Sequence, residues 1–114
     1  MKVALKMIQT AESDSTFRRE GSLWVGKCLI CNGPLAFDAK TGEGASLEHI
    51  RAKSRGGNDE LINLALTHTR CNNQKGVAWD QKRRKRDDEY EMLINPLLER
   101  RRARWKEKER GGRS

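Results

Sequence analysis

Four residues with metal-binding side chains form two pairs of equal spacing. Two residues separate Cys28 from Cys31, and two also separate His68 from Cys71. Thiolate sulfur and imidazole nitrogen both suit Zn²⁺, and three cysteines with one histidine are an ordinary structural zinc set. Because four protein ligands leave no coordination position for water, we expect a structural rather than a catalytic site.

Other interpretations of the three cysteines stay open. They can be unrelated buried thiols with a surface histidine nearby, or the C-x-x-C pair can be a redox motif. No alternating strand–helix–strand pattern surrounds Cys28 and Cys31, which disfavours the redox interpretation. The odd number of cysteines disfavours a set of disulfides, and a C-x-x-C pair in a cytosolic protein is more often a metal site.

The other histidine, His49, follows Glu48 in the segment LEHI. A neutral imidazole near pH 7 can act as a general base for attack on a phosphate. A carboxylate and a side-chain amide can together bind a hard divalent cation, and the candidate amides are Asn63, Asn72 and Asn73. Adjacent side chains of a strand point to opposite faces, so Glu48 and His49 need a bend before they share one site. A lone histidine near a strand end is more often structural than catalytic.

Length and composition limit the classes of function. With 114 residues, of which 35% are hydrophobic and 35% charged, the chain is one domain with a small core that a bound metal would stabilise. The excess of 24 Lys and Arg over 16 Asp and Glu predicts a polyanionic partner, most simply nucleic acid, although a merely soluble surface has the same balance. No apolar run approaches the roughly 18 residues of a membrane span, so we expect a cytoplasmic protein with no membrane partner.

Changes in composition along the chain predict three regions. Residues 1–22 form an N-terminal extension, in which SDSTFRRE can form a short helix that ends at Gly21. Residues 23–79 form the core, where strands and turns precede His49. In the core, RAKSRGGNDE is a predicted loop, NDELINLAL favours a helix, and a further short helix is predicted to run from Cys71 to about residue 79.

Residues 80–114 form a basic extension, predicted as a helix with one apolar stripe. The stripe consists of Tyr90, Leu93, Ile94, Leu97, Leu98 and Trp105. Because Pro96 lacks a backbone donor and suits the first turn of a helix capped by Asn95, we expect the helix to break there. The stripe is expected to pack on the rest of the domain rather than on a partner, and the arginine-rich face can be solvated or lie along phosphates.

The order of these motifs resembles the HNH endonuclease family, in the zinc-containing branch in which two C-x-x-C type pairs flank the active site. The resemblance covers residues 28–76 and consists of C-x-x-C-x-G, an acidic-His-Ile turn, S-x-GG, N-L and C-N-x-x-K-G. It implies an α+β fold, with a small ββα-metal (HNH or His-Me finger) core, a structural zinc site and flanking helices. It also implies an endonuclease that hydrolyses phosphodiester bonds in DNA and leaves a 5′-phosphate and a 3′-hydroxyl.

Carried over by position, the resemblance implies a role for each polar residue of the motif. His49 would be the general base that activates water, and Asn63 would brace the loop that carries it. Glu48 and Asn72 would hold a catalytic divalent metal, Mg²⁺ or another ion such as Mn²⁺ or Ni²⁺. Glu48 stands where Asp is commoner in the family, and His68 takes the usual position of a zinc-binding cysteine.

The expected partner is DNA, in double-stranded form, with no small-molecule substrate. Lys53, Arg55 and Lys75 lie close to the motifs in sequence and are candidate phosphate contacts. The sequence leaves open whether the protein is a monomer or a dimer. A non-catalytic, zinc-stabilised nucleic-acid-binding module is the alternative function, and an interaction domain built on the apolar stripe would explain neither the zinc pairs nor the motif order.

Overall fold

Two antiparallel sheets and three α-helices make up the described part of the chain. The computed structural model describes residues 2–81 and 85–107, the first two of these by their backbone alone. The helices are α1 (Lys2–Glu12), α2 (Thr69–Lys75) and α3 (Asp87–Arg104). The strands are β1 (Arg18–Glu20), β2 (Leu23–Lys27), β3 (Pro34–Asp38), β4 (Ser46–His49) and β5 (Leu64–Thr67). This combination confirms the predicted α+β class.

The first sheet has the order β1-β2-β3 and places the first cysteine pair in the β2–β3 connection. The helix predicted to end at Gly21 is wrong, because residues 18–20 pair with β2 and place Arg18 opposite Val25. Gly21 has a φ of 61°, in the left-handed region that glycine adopts readily, and it lies in the turn between the two strands. The helix of the N-terminal region lies earlier in the chain, as α1.

The second sheet is a hairpin of β4 and β5, in which Glu48 lies opposite Ala65 and His49 opposite Leu64. The predicted helix over NDELINLAL is therefore wrong, since this segment forms a short 3₁₀ turn at Leu61–Asn63 and then β5. All four residues of β5 are buried. A short strand that is buried on both faces has a continuous apolar pattern, which periodicity cannot distinguish from a buried helical segment.

The polypeptide after the hairpin is helical, as predicted, but the helix starts before Cys71. Helix α2 begins at Thr69, and a π-helical turn continues it over Gly76–Asp80. The hairpin followed by α2 has the β-β-α order that the HNH resemblance implies, so the predicted ββα-metal type of core is consistent with the structure.

The C-terminal helix α3 is continuous from Asp87 to Arg104 and contains Pro96, so the predicted break is wrong. The apolar stripe explains this continuity. Ile94 before the proline and Leu97 after it are both buried against the core, and their packing offsets the loss of one backbone donor. The prediction that the stripe packs on the domain is confirmed for these residues.

Two hydrophobic clusters hold the elements together. One joins α1 to the first sheet and to the cysteines, through Met7, Ala11, Phe17, Cys28, Leu35, Phe37, Leu66 and Cys71. The other joins α3 to the hairpin, through Leu29, Ile50, Ala65, Tyr90, Ile94 and Leu97. Among the described helices, none has the length and apolar character needed to span a membrane.

Candidate metal centre and active site

The two predicted ligand pairs meet in one cluster. The ligand atoms of Cys28, Cys31, His68 and Cys71 all lie within 4.8 Å of one another. Nδ1 of His68 is 3.4 Å from Sγ of Cys31 and 3.8 Å from Sγ of Cys71. Tetrahedral zinc, with bonds of about 2.3 Å to sulfur and 2.0 Å to nitrogen, would separate sulfur from nitrogen by about 3.5 Å. The cluster therefore has the ligands and the dimensions of a zinc site.

Hydrogen bonds from the surrounding backbone orient these ligands. Nε2 of His68 is 2.9 Å from the carbonyl oxygen of Pro34. Since a carbonyl only accepts, the proton is on Nε2, and the lone pair of Nδ1 faces the sulfurs. The amide of Gly33 donates to Sγ of Cys31 at 3.4 Å, and the amide of His68 donates to Sγ of Cys28 at the same distance.

The cysteine thiols differ in how readily they ionise. The hydrogen bond from Gly33 lowers the pKa of Cys31 to about 7, so this exposed thiol ionises more readily than an ordinary cysteine. Burial raises the pKa of Cys71 to about 11. Because zinc binds the thiolate, we expect metal binding to displace a proton from Cys71 at neutral pH.

Two arginines of α3 support the backbone that carries Cys28, a contribution that the sequence patterns did not indicate. Arg100 donates to the carbonyl oxygens of Leu29 and Ile30, at 2.5 and 3.0 Å. Arg104 donates to those of Lys27 and Cys28, at 3.1 and 3.4 Å. The helix thus fixes the first ligand pair through direct hydrogen bonds to its turn.

His49 ends β4, and one nitrogen of its imidazole lies against a carboxylate. Nε2 is 2.7 Å from Oδ1 of Asp59, and the other carboxylate oxygen is 3.0 Å from Nζ of Lys53. The hydrogen bond with His49, followed by that with Lys53, lowers the pKa of Asp59. The His49 side chain is 31% exposed and accessible from solvent. The sequence patterns did not indicate that Asp59 would contact His49.

Asn63 holds both ends of the loop that follows His49. Its Oδ1 accepts from the amide of Arg51 at 2.9 Å, and its Nδ2 donates to the carbonyl oxygen of Arg51 at 3.1 Å. Nδ2 also donates to the carbonyl oxygen of Asn58 at 2.8 Å. Asn63 is buried, so these bonds are shielded from water. The contacts are those of a bracing residue.

Glu48 precedes His49 but has different partners. Its Oε2 is buried and lies 2.8 Å from Nζ of Lys75, so the two groups form an ion pair. Among the described residues, no group forms a hydrogen bond of good geometry with this oxygen. Nζ of Lys75 also donates to both carboxylate oxygens of Asp80, at 2.9 and 3.0 Å, and to the carbonyl oxygen of His49 at 3.2 Å. Burial raises the pKa of Glu48, and the adjacent ammonium of Lys75 offsets that effect in part.

Asn72 is half-buried in α2, directly after Cys71, and α2 packs against β4. Oxygen atoms of a carboxylate and an amide are the ligands that hard divalent cations prefer. The buried Oε2 of Glu48, which lacks a well-formed hydrogen bond, would gain a partner from such a cation. The two donors suit a divalent cation by their chemistry, although the ammonium of Lys75 already lies 2.8 Å from the same oxygen, and Glu48 and Asn72 as its ligands stay a prediction.

The three candidate phosphate contacts have unequal surroundings. Lys53 is exposed, so its role stays a prediction. The Arg55 side chain is 2% exposed and stacks over the ring of Tyr90 at 4.3 Å. Its guanidinium donates to the carbonyl oxygens of Trp79, Asp80, Gln81 and Lys85. The structure argues against Arg55 and Lys75 as phosphate contacts, because both cations lie buried against protein oxygens.

Tyr90 and Glu91 connect α3 to the loop that follows His49. The hydroxyl of Tyr90 accepts from the amide of Ala52 at 2.9 Å and donates to Oδ1 of Asp80 at 3.1 Å. Glu91 receives a two-pronged ion pair from Arg51, which lowers the pKa of this carboxyl. Helix α3 therefore contacts the surroundings of both candidate metal sites.

Residues 28–77 match the family model described as HNH endonuclease. The match includes all four clustered ligands, the β4–β5 hairpin and α2. Neither the curated proteins nor the solved structures include a chain that matches this one. An HNH domain implies a nuclease-type function with nucleic acid as the partner. The chain therefore carries a domain of the HNH endonuclease family at residues 28–77.

Proposed function

We propose that the protein is a metal-dependent endonuclease that hydrolyses phosphodiester bonds in double-stranded DNA. The observation that carries the proposal is the placement of His49 within the family-matched segment. Its accessible imidazole ends β4, beside a loop that Asn63 braces through three hydrogen bonds. An imidazole held in this way can take a proton from water near neutral pH.

His49 would act as the general base, and the atom that takes the proton would be Nδ1. The proton on Nε2 is fixed by Asp59, since an ionised carboxylate only accepts hydrogen bonds. Attack of the resulting hydroxide would form a new bond to phosphorus and break the bond from phosphorus to the 3′ oxygen. The 3′ oxygen would take a proton from solvent, which leaves a 5′-phosphate and a 3′-hydroxyl.

Glu48 and Asn72 would bind the catalytic divalent cation, Mg²⁺ or another ion such as Mn²⁺ or Ni²⁺. A cation bound there supplies positive charge to the phosphate and to the departing oxygen. The Cys28, Cys31, His68 and Cys71 cluster would bind Zn²⁺ as a structural ion, because its four ligands close the coordination sphere. Lys53 would contact a phosphate of the DNA.

The proposed core comprises residues 23–79, with residues 1–22 and 80–114 as extensions. The packing of α3 on the hairpin supports a close association of the C-terminal extension with this core. A cytoplasmic location is also part of the proposal.

Plasmid cleavage tests the proposal directly. We expect the purified protein to nick or linearise plasmid DNA with Mg²⁺ or Mn²⁺, and His49→Ala to abolish cleavage with unchanged zinc content and melting temperature. Resealing of the nicks by a DNA ligase would verify the 5′-phosphate and 3′-hydroxyl ends. Equal cleavage by the wild type and His49→Ala would refute the role of His49.

A pair of neighbouring asparagines provides a matched control for the metal site. We expect Asn72→Ala to raise the divalent metal concentration needed for cleavage, whereas Asn73→Ala, an exposed residue next to it, should leave this requirement unchanged. Equal effects of both substitutions would remove Asn72 from the proposed ligand set.

A non-catalytic, zinc-stabilised nucleic-acid-binding module is the second candidate. The contact of Glu48 with Lys75 favours it, because this ion pair already compensates the charge of the buried carboxylate. DNA binding without cleavage under any of the three divalent metals would establish this function instead.

A further inference from the structure

We propose that Asp59 is a positioning residue that orients the imidazole of His49 for catalysis. This inference rests on the proposed function, in which His49 is the general base. Asp59 lies outside the residues that the family resemblance assigned to the active site, and it was found through its contact with His49 in the structure.

The contact defines both the orientation of the ring and the position of its proton. Nε2 of His49 is 2.7 Å from Oδ1 of Asp59, a distance typical of a charge-assisted hydrogen bond. The lowered pKa of Asp59 keeps the carboxyl ionised, so it can only accept. The ring must therefore donate from Nε2, which leaves Nδ1 as the nitrogen able to take a proton from water.

One contact holds the carboxylate of Asp59, and another holds the residue before it. Its second oxygen is 3.0 Å from Nζ of Lys53, within the same loop. The preceding residue, Asn58, has its carbonyl oxygen bonded to Nδ2 of the buried Asn63. The bracing by Asn63 therefore extends through the loop to Asp59, and from Asp59 to the imidazole.

The part of the loop between His49 and Asp59 is closely packed on itself. The amide of Gly57 donates to the carbonyl oxygen of Ala52 at 3.0 Å, which closes the loop on itself. A Cβ atom at Gly57 would lie only 1.8 Å from the carbonyl oxygen of Arg51, so the two backbone segments are in close contact. Arg51 and Ala52 follow His49 closely in the chain, and Gly57 precedes Asp59 by two residues. The close contact between these two backbone segments therefore brings the polypeptide back towards His49 before Asp59.

Steady-state cleavage kinetics on zinc-loaded protein test this role. We expect Asp59→Ala to lower kcat by about ten- to a hundredfold with little change in KM, the range typical for loss of a carboxylate that orients a metal-bound imidazole. Asp59→Glu should recover most of the lost rate, since its carboxylate can still reach Nε2. Asp59 is 64% exposed on its side chain, so both variants should fold.

Charge needs its own control, because removing an acidic residue also increases attraction to DNA. Glu20→Gln removes a carboxylate from another exposed ion pair, that with Arg18, and raises the net charge by one unit, as Asp59→Ala does. We expect Glu20→Gln to keep the wild-type kcat. A fall in kcat specific to Asp59→Ala would thus report orientation rather than charge.

Nuclear magnetic resonance gives a readout that is independent of cleavage. The chain has two histidines, so a His49→Ala spectrum assigns the ring signals of His49 unambiguously. In the wild type we expect the Nε2–H proton of His49 to resonate downfield, as a proton in a short hydrogen bond to a carboxylate does, and we expect Asp59→Ala to move it upfield while the signals of His68 stay unchanged.

The outcomes separate this inference from the proposed function. If His49→Ala is inactive but Asp59→Ala keeps the wild-type kcat or the downfield position of the Nε2–H signal, the positioning role of Asp59 is overturned and the proposed function stands. Failure of Asp59→Glu to recover activity in a folded protein would also overturn it. If His49→Ala cleaves like the wild type, the proposed function fails and the inference fails with it.

Discussion

Substitution of Lys75 by methionine tests the buried ion network beneath the candidate active site. Nζ of Lys75 lies within 2.8 to 3.2 Å of Glu48, Asp80 and the carbonyl oxygen of His49, and the side chain is 1% exposed. Lys53 provides a matched control in the same region. Its Nζ also contacts a carboxylate, that of Asp59, but the side chain is 60% exposed.

The two substitutions should differ greatly in their effect on the free energy of unfolding. Lys75→Met leaves the buried carboxylate of Glu48 and the half-buried one of Asp80 without this counter-charge, for which the expected loss is about 3–5 kcal/mol. Lys53→Met removes an exposed, solvent-screened pair and should leave the free energy of unfolding nearly unchanged. Because small domains are stable by only about 5–15 kcal/mol, Lys75→Met should remove a large share of the stability.

The loss caused by Lys75→Met should increase with pH. Burial already raises the pKa of Glu48, and Lys75 is the main group that opposes this shift, so the pKa rises further without it. The folded variant then binds a proton more tightly at Glu48 than the unfolded chain does. Its stability should therefore fall as pH rises above the ordinary carboxyl pKa, with a larger deficit at about pH 8 than at about pH 5.

Denaturant unfolding of the zinc-loaded proteins at both pH values measures these effects, and DNA binding at several salt concentrations measures phosphate contacts. We expect Lys53→Met to reduce the slope of log affinity against log salt by about one, and Lys75→Met to leave it unchanged. If Lys75→Met retained full stability and lost one unit of slope, Lys75 would be a phosphate contact and the buried network would be refuted.

Two other substitutions test the zinc cluster and the anchoring of α3. Elemental analysis should find about one zinc ion per chain in the wild type, and His68→Ala should lose this zinc and have a lower melting temperature. His68→Cys should keep both the zinc and the wild-type melting temperature. Full metal content in His68→Ala would exclude His68 as a ligand. Tyr90→Phe removes the hydroxyl that bonds Ala52 and Asp80 and should cost about 1–3 kcal/mol in unfolding measurements, and an unchanged stability would show that these bonds contribute nothing.

The metal ligands could be predicted from the sequence because coordination chemistry restricts them strongly. Zinc requires soft or borderline donors, and the two pairs with matching spacing provide them without any knowledge of the fold. The nitrogen that carries the proton in each imidazole could not be predicted from the sequence. It depends on the carbonyl oxygen of Pro34 for His68 and on Asp59 for His49, and tertiary structure brings both partners into place.

The errors in secondary structure share a physical cause, which is that long-range packing outweighs local preference. Leu64–Thr67 is a strand because β4 pairs with it and the core covers both faces. Helix α3 passes through Pro96 because buried side chains on either side hold it to the core. Neither effect appears in a window of neighbouring residues.

Buried cations alter what the net charge says about DNA binding. Arg101 is fully buried, and its guanidinium bonds to Ser13, 88 residues earlier in the chain. Arg55, Lys75 and Arg104 are likewise enclosed by backbone oxygens or carboxylates. Buried guanidinium and ammonium groups that already have protein partners cannot release counterions from phosphates, so they add little to affinity for DNA.

The electrostatic case for a nucleic-acid partner therefore depends on exposed cations and not on the overall excess of +8. Lys53, Arg70 and Arg102 are exposed, and the first two lie in the family-matched segment. Lys53 adjoins the loop of His49, while Arg70 directly precedes Cys71. Helix α2, which carries Arg70 and Asn72, packs against β4, which ends at His49. Arg70 is therefore, with Lys53, an exposed cation on the elements that carry the candidate chemistry, and its contact with a phosphate is a prediction that Arg70→Ala tests through the salt dependence of DNA binding.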